Sequence, residues 1–184
     1  MANNCSNYVQ VTGSLELLNT LKMKLLNHFI DDEIGNESGH LNLQKLTNCK
    51  KDEDIYRKAG TSFWVVDFEL NDDLIIRGDS AWSAPIELIE LLSIEFKELQ
   101  FEIDYEELGC NLGGWAIIQN GVVDLNHFSF WEYKFVRDYE FACMCATEEI
   151  EYFISNDSIE ELEEHDIKTF MKEEDFNLAL QSCL

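Results

Sequence analysis

Acidic side chains at alternate positions are the feature of this sequence with the clearest capacity for chemistry. Glu102, Asp104 and Glu106 are spaced two residues apart, so a β-strand would project all three carboxylates from one face. Asp67 and Glu69 repeat this spacing earlier in the chain. Carboxylate oxygens are the ligands that Mg²⁺ and Ca²⁺ prefer, and an array of carboxylates also attracts a basic protein surface. The pattern therefore allows a metal site, a partner-binding surface or an ordinary solvent-exposed face.

The histidines, cysteines, serines and glycines lack the spacing that metal binding, nucleophilic catalysis or phosphate binding requires. No histidine has a cysteine or a second histidine at zinc-ligand spacing, and the six cysteines form no CxxC pair and no regular disulfide framework. Ser80 and Ser83 flank Trp82 without a nucleophile elbow. Gly109 and Gly113 are not followed by the Lys-Ser/Thr of a phosphate-binding loop. The sequence contains no catalytic signature, and we expect no enzymatic activity, no cofactor and no bound metal.

The 184-residue chain is strongly acidic, and its charge is unevenly distributed. Thirteen Lys and Arg against 37 Asp and Glu give a formal net charge of −24. Residues 1–60 hold 8 acidic and 7 basic residues, a net of −1, whereas residues 61–184 hold 29 and 6, a net of −23. This excess of negative charge excludes direct nucleic-acid binding, which needs a surface rich in Lys and Arg, and it would be repelled by an anionic membrane surface. The 46% apolar and 12% aromatic content nevertheless predicts a folded chain.

The cellular compartment of the protein is predicted from its apolar segments and its cysteines. No apolar run approaches the roughly 18 residues of a membrane span, and the polar N-terminal residues do not form a secretory signal. Free thiols without a disulfide framework are typical of a reducing compartment. We therefore expect a cytoplasmic protein with reduced cysteines.

The carboxylates must be positioned by strands, and the hydrophobic pattern predicts strands and helices in alternation. The order strand–helix–strand–strand–helix–strand is that of a ferredoxin-like split βαβ sandwich, an α+β fold. The predicted strands are 8–13, 63–70, 74–78 and 99–106, the predicted helices are 15–30 and 83–94, and a polar insertion occupies 31–60. The predicted core contains Val9, Val11, Trp64, Val66, Phe68, Ile89, Leu92, Phe101 and Ile103, and Trp82 is also expected to be buried.

Further elements are predicted beyond this core. Segments 114–118 and 121–125 read as an added hairpin, since Asn120-Gly121 suits a tight turn. The aromatic segment 128–136 is predicted to be a strand with two apolar faces. The C-terminal helices, a partner or a second copy of the chain would cover the second face. We place the core domain at 1–137 and an acidic helical extension, packed on that core, at 138–184. The C-terminal helical segments are predicted at 147–154 and 159–170.

Several short motifs resemble those of a known family. They are Asn7 to Gly13, Gly60-Thr61 before Trp64, Ser80 to Pro85, Leu92-Ser93, and Tyr105 to Gly109 followed by Gly113-Gly114. Together, over residues 5–125, they resemble the YubB-like ferredoxin-like domain family, whose members are uncharacterised and are carried mainly on plasmids, phages and genomic islands. The usual double proline is Ala84-Pro85 here, and the acidic tail after Asp138 matches no pattern of that family. The resemblance implies the fold and an origin in a mobile genetic element, and it supplies no catalytic residues.

Three functions remain open at this point. The first is a nucleic-acid-mimicking inhibitor that occupies the basic channel of a host defence protein, of the anti-CRISPR or anti-restriction type. The second is a protein–protein interaction domain whose acidity serves solubility, and the third is a metal-dependent enzyme that uses the sheet carboxylates. We take the first as the most concrete hypothesis. Its candidate partner-binding residues are Asp67, Glu69, Glu102, Asp104, Glu106, Glu160, Glu161, Glu163, Glu164, Trp131 and Tyr133.

Elemental analysis of the purified protein is expected to find no stoichiometric metal. The reason is that no Cys/His set has ligand spacing and the alternating carboxylates of one strand do not converge on a point. About one tightly held Zn²⁺ or Mg²⁺ per chain would contradict this prediction and would favour the enzyme hypothesis.

Overall fold

In a computed structural model, residues 4–31, 39–50, 55, 58–156 and 166–183 are described, and strands and helices alternate along them. The strands are β1 (Asn4–Thr12), β2 (Phe29–Asp31), β3 (Gly39–Leu41), β4 (Phe63–Leu70), β5 (Leu74–Ala81), β6 (Gln100–Glu107), β7 (Leu112–Gln119) and β8 (Val122–Phe128). The helices are α1 (Leu15–Asn27), α2 (Leu43–Thr47), α3 (Ile86–Glu95), α4 (Phe130–Arg137), α5 (Tyr139–Ser155), α6 (Asp166–Phe170) and α7 (Glu173–Cys183).

The strands form one sheet in the order β2-β3-β4-β5-β1-β6-β7-β8. Its central strand, β1, pairs antiparallel with β5 on one side and with β6 on the other. The connection from β1 to β4 begins with α1 and passes β5 in the sheet order, and it also contains β2, β3 and α2. Helix α3 connects β5 to β6 across β1, and the two connections give the split βαβ arrangement. The predicted ferredoxin-like α+β fold is confirmed. Two strands extend it at each edge, of which β7 and β8 form the predicted hairpin.

The hydrophobic core lies between one face of this sheet and the helices of the first 127 residues. Alternation along β1 and β6 buries every second side chain, and apolar positions of α1 and α3 cover them. The predicted core residues Val9, Val11, Ile89, Leu92, Phe101 and Ile103 are buried, as are Leu18, Leu21 and Leu25 of α1. Phe68 is only partly buried, because it lies near the sheet edge, where its ring contacts that of Phe29. The side chains of Trp64 and Val66 lie outside the described residues.

Local chemistry explains where the elements begin and turn. Ser14 caps α1, since its Oγ accepts a hydrogen bond from the Leu17 N–H at 3.4 Å. Helix α3 begins at Ile86 rather than at the predicted Ser83, and Pro85 is its N-cap. Because proline disfavours helical dihedral angles at the residue before it, Ala84 does not join the helix. Asn120 and Gly121 have φ values of 48° and 73°, so the predicted tight turn between β7 and β8 is confirmed.

The chain divides into two compact units, 1–127 and 128–184. In the second unit, the segment predicted as an aromatic strand is instead the helix α4, so that prediction is wrong. Ser129 provides the N-cap by accepting a hydrogen bond from the Glu132 N–H, and this favours a helix over an extended segment. The predicted helix 147–154 lies within α5, and 166–170 of the predicted helix 159–170 form α6. Residues 157–165 lie outside the described part of the chain.

The aromatic side chains of α4 pack against the other helices of the second unit. Phe130, Trp131 and Phe135 form a cluster with Ala142 and Ile150 of α5 and with residues of α6 and α7. The C-terminal helices therefore cover Phe130, Trp131 and Phe135, which is one of the three ways that the sequence left open. Among the described residues, no helix is both long and apolar enough to cross a membrane.

Replacing Ile103 with alanine is expected to lower the free energy of unfolding by about 2–5 kcal/mol, because it opens a cavity in the core. Ile103 is 1% exposed, whereas Ile117 on the neighbouring strand β7 is 43% exposed. Ile117→Ala is therefore the matched control and should change stability far less. Urea unfolding of both variants measures the difference, and equal losses would contradict the assignment of the two faces.

Candidate acidic interface on the open sheet face

The candidate site is the sheet face opposite α1 and α3, which we call the open face. Because Val9 and Ile103 point into the core, their neighbours Tyr8 and Asp104 point the other way. The open face comprises Asp67 and Glu69 of β4, Ile75, Arg77 and Asp79 of β5, Ser6, Tyr8 and Gln10 of β1, Glu102, Asp104 and Glu106 of β6, and Trp115 and Ile117 of β7. All five sheet carboxylates proposed from the sequence thus share one face.

The strand register places five open-face side chains in a single row across the sheet. Asp67 is opposite Arg77, Arg77 is opposite Tyr8, Tyr8 is opposite Asp104, and Asp104 is opposite Trp115. Directly opposite side chains have Cβ atoms about 4.5–5.5 Å apart, so neighbours in this row are close enough to interact. The row places a cation, two aromatic rings and two carboxylates in contact range across five strands.

Arg77 occupies one side of this row. Its Nη1 lies 3.1 Å from both carboxylate oxygens of Asp67, and its Nη2 lies 3.2 Å from Oε2 of Glu69. The guanidinium also lies over the ring of Tyr8, with 5.7 Å from Cζ to the ring centroid. The hydrogen bonds to Asp67 and then to Glu69 raise the pKa of Arg77 above its ordinary value. Arg77 therefore offsets part of the negative charge on β4.

Two further carboxylates of the open face, those of Glu102 and Asp79, accept hydrogen bonds from neutral donors. Gln100 donates to Glu102 at 2.7 Å, and Ser6 donates to Asp79 at 3.2 Å. Such bonds orient a carboxylate without cancelling its charge. Arg77 is the only lysine or arginine in the eight described strands. Six carboxylates (Asp67, Glu69, Asp79, Glu102, Asp104 and Glu106) and one guanidinium give the open face a formal charge of −5.

The geometry of this face does not concentrate the carboxylates on a point. Residues i and i+2 of a strand lie about 6.6–6.8 Å apart, whereas one cation needs several oxygens at about 2.0–2.6 Å. In the part of the chain that the structure describes, no group of three or more His, Cys, Asp or Glu residues is placed to hold a metal ion. What the arrangement can do is present an extended negative surface to a large partner.

The other residues proposed from the sequence are placed differently. Trp131 and Tyr133 are both buried, and Trp131 packs in the cluster that α4 forms with α5, α6 and α7. Glu160, Glu161, Glu163 and Glu164 lie outside the described residues. Tyr8, Arg77 and Trp115 also lie on this face, and no local motif in the sequence singles them out, because strand register alone makes them neighbours of the carboxylates.

Trp82, expected in the core, is 51% exposed, and its φ of 70° lies in the left-handed region. The Ser83 N–H donates to the Ala81 carbonyl at 2.9 Å, and the Ser80 hydroxyl donates to the Ser83 carbonyl at 2.6 Å. These bonds close a three-residue turn centred on Trp82, as in a γ-turn. The turn directs the indole away from the core, which is why the expectation from hydrophobicity was wrong.

A family model described as the ferredoxin-like domain in Api92-like protein matches residues 63–176. The chain belongs to this family. The ferredoxin-like family expected from the sequence is therefore confirmed, but the YubB-like name is not the one that the match supports. No curated protein and no solved structure matches the chain. The match runs from β4 to α7, so most of the acidic extension, which matched no pattern of the expected family, lies within the region that the Api92-like family model matches.

Two of the motifs noted in the sequence, those that contain Asn7 and Ser80, meet where β1 pairs with β5. Asn7 Nδ2 donates to the Ser80 hydroxyl at 2.8 Å and to the Cys5 carbonyl at 2.7 Å, and it lies 3.2 Å from the Gly78 carbonyl. The buried carboxylate of Glu107 accepts hydrogen bonds from the backbone N–H groups that begin the loop after β6. The Asn7 bonds link β1 to β5, the Glu107 bonds fix the loop that follows β6, and both sets satisfy buried polar groups.

Neither of the ionisable groups near this network is a reactive group at neutral pH. Burial raises the pKa of the Cys5 thiol to about 12, and it raises the pKa of the Tyr105 hydroxyl to about 12. The Tyr105 hydroxyl lies 3.0 Å from Nδ1 of His127. A thiol is nucleophilic only as the thiolate, so Cys5 has a structural role.

Alkylation at pH 8 is expected to modify Cys110 and to leave Cys5 unmodified in the folded protein. Cys110 is exposed, whereas Cys5 is fully buried and its raised pKa keeps it protonated. Peptide mass spectrometry after iodoacetamide treatment measures both sites, and both should react in denaturant. Labelling of Cys5 at the rate of Cys110 in the folded protein would contradict the assigned burial.

Proposed function

We propose that this protein is a non-enzymatic binding protein whose open face occupies the basic, nucleic-acid-binding surface of another protein. The observation that supports the proposal is the charge of −5 on a face built from five adjacent strands. A nucleic-acid-binding groove is lined with Lys and Arg, and such a face is complementary to it. The partner class that we propose is a host defence protein of the CRISPR or restriction type. The inhibitor would come from a mobile genetic element such as a phage and would act in the host cytoplasm.

The sheet is a suitable scaffold for mimicry because it fixes the spacing of its charges. Carboxylates repeat about every 6.6–6.8 Å along β6, and neighbouring strands lie about 4.8 Å apart. A DNA duplex likewise presents a fixed array, with about one charge per 1.7 Å of axis. Because the backbone of the array is already ordered, binding costs less conformational entropy than the folding of a disordered acidic tail would. The open face therefore meets the main requirement of a rigid decoy.

The overall charge supports fast recognition as well as complementarity. With a net charge of −23 on residues 61–184, the chain attracts a basic partner over a distance comparable to the Debye length. That length is about 10 Å at 0.1 M salt and about 3 Å at 1 M, so the association rate should fall as salt rises. The alternative, a protein–protein interaction domain whose acidity serves solubility, would show little salt dependence in its binding.

Charge reversal on the open face is expected to abolish binding of the partner. The test immobilises the wild-type protein and the triple variant Glu102→Lys, Asp104→Lys and Glu106→Lys, passes a bacterial lysate over both, and elutes with increasing salt. Proteins retained by the wild type should bind nucleic acid, should be lost from the variant, and should be displaced by added duplex DNA, because both ligands occupy one surface.

The matched control reverses three exposed carboxylates on the helix side of the first unit. Glu16→Lys, Glu87→Lys and Glu98→Lys change the net charge by the same amount but leave the open face intact. This control should retain the partner, and circular dichroism should show that both triple variants fold. Binding that survives open-face reversal, 1 M salt and excess DNA would overturn the proposal of nucleic-acid mimicry.

A further inference from the structure

Among the strands that the structure describes, β8 is the last in the sheet order, and it is long for an edge strand. It has seven residues, whereas β2 at the other end of the order has three. Natural sheets protect their edges with very short strands, charged side chains or proline. The short length of β2 is such a protection. Strand β8 has no lysine, arginine or proline, and Asp124 is its only acidic residue.

The apolar side chains of β8 are accessible to a partner. Val122 is 70% exposed and Leu125 is 46% exposed. An edge strand with exposed apolar side chains and little charge is a template for pairing with a strand of another chain, because its outer backbone groups can extend the ladder of hydrogen bonds. The edge at β8 therefore has the properties of a pairing surface.

Contacts near both ends hold β8 in a fixed position. The N–H of Gly121, in the turn before β8, donates to Oγ of Ser93 at 2.9 Å, and Ser93 is fully buried in α3. Toward the other end, Nδ1 of His127 lies 3.0 Å from the Tyr105 hydroxyl on β6. Between them, Val123 packs partly buried against the core. Because the strand is already ordered, pairing costs it little conformational entropy.

We propose that β8 pairs antiparallel with β8 of a second copy of this chain, about a two-fold axis at Leu125. Leu125 is the middle residue of Val122–Phe128, so this register gives the greatest overlap of the two strands. An antiparallel pair about a two-fold axis is self-complementary, as a symmetric dimer requires. The proposal goes beyond the proposed function, since main-chain pairing at this edge uses none of the open-face carboxylates.

The side chains of β8 suit this register. It places the two Leu125 side chains opposite each other, and it places Asp124 opposite Asn126 of the second copy. Apolar pairs directly opposite each other stabilise a sheet, whereas like charges in that position destabilise it. A register centred one residue earlier would place the two Asp124 carboxylates opposite each other. The charge pattern therefore favours Leu125 as the centre.

The distribution of charge explains why two acidic chains can meet at this edge. Residues 112–128, which form β7, the turn and β8, contain a single acidic residue. In the dimer the two β6 strands would be five strand spacings apart, which is about 24 Å in a flat sheet. The Debye length is about 10 Å at 0.1 M salt, so repulsion between the two rows of β6 carboxylates is largely screened.

Sedimentation equilibrium of the wild-type protein measures the association directly. The mass should rise with concentration from the chain mass of 21.4 kDa to twice that value. Raising the salt concentration from about 0.1 M to about 1 M should strengthen the dimer, because salt screens the repulsion between two acidic chains. Binding of a basic partner to the open face would weaken over the same range, so this proposal and the proposed function can fail separately. A monomer at about 0.1 mM protein and about 1 M salt would overturn the dimer.

Substitutions at the two-fold position test the register. Leu125→Lys and Leu125→Glu each place like charges opposite each other, so each should weaken dimerisation about tenfold or more. An equimolar mixture should restore the dimer, because Lys then lies opposite Glu. Leu26→Lys makes the same change at a leucine of α1 that is 41% exposed, and it should leave the dimer as strong as that of the wild type.

Hydrogen exchange of the unmodified protein provides a second measurement that does not depend on the folding of a variant. Backbone amides of β8 should exchange more slowly as protein concentration rises, whereas amides of β2 should not change. Restoration in the mixture together with this protection would support the proposal. A dimer that both Leu125 variants leave intact, two weakened variants that mixing does not restore, or β8 amides that are insensitive to concentration would overturn pairing about Leu125.

Discussion

The register of β1 between β5 and β6 is the constraint on which the rest of the molecule depends. A shift of one residue would move Val9 and Val11 to the open face and Tyr8 into the core. Two kinds of interaction oppose such a shift. Val9 and Val11 are fully buried against the helices, and the side chain of Asn7 bonds to the Ser80 hydroxyl on β5 and to the Cys5 carbonyl on its own strand. Apolar burial therefore selects the face, and the buried amide secures the alignment at the end of the strand.

The alternation of side chains along each strand gives the sheet one apolar face and one acidic face. On the helix side, β6 contributes Phe101 and Ile103 to the core, and on the other side it contributes three carboxylates. A carboxylate in contact with water retains its hydration, so an acidic face costs the fold only the repulsion between like charges. Arg77 reduces that repulsion on β4, where it pairs with both Asp67 and Glu69. An acidic surface and a stable apolar core are thus compatible on one strand.

Burial in the sheet separates the ionisable groups that solvent can reach from those that it cannot. The groups that resemble a reactive site, Cys5, Tyr105 and Glu107, lie on the covered side of the sheet and are held in hydrogen bonds or by burial. On the open face, the carboxylates and the Arg77 guanidinium are groups that can recognise a charged surface of another molecule. The carboxylates that we propose as binding determinants lie on strands, which hold side chains more precisely than loops do.

Local patterns in the sequence determined the secondary structure of the core, because alternation and helical periodicity report directly which face of an element is apolar. The strands that carry Val9 and Ile103, the Asn120-Gly121 turn and the shared face of Glu102, Asp104 and Glu106 were all predictable on this basis. The aromatic segment 128–136 was not, since its apolar side chains suit either period and the Ser129 cap decides for a helix. Nor was the exposure of Trp82, which depends on a turn closed by backbone and Ser80 hydrogen bonds. Only the tertiary structure decided that Tyr8, Asp104 and Trp115 form one row, because residues on three different strands become neighbours through strand register, which no local pattern encodes.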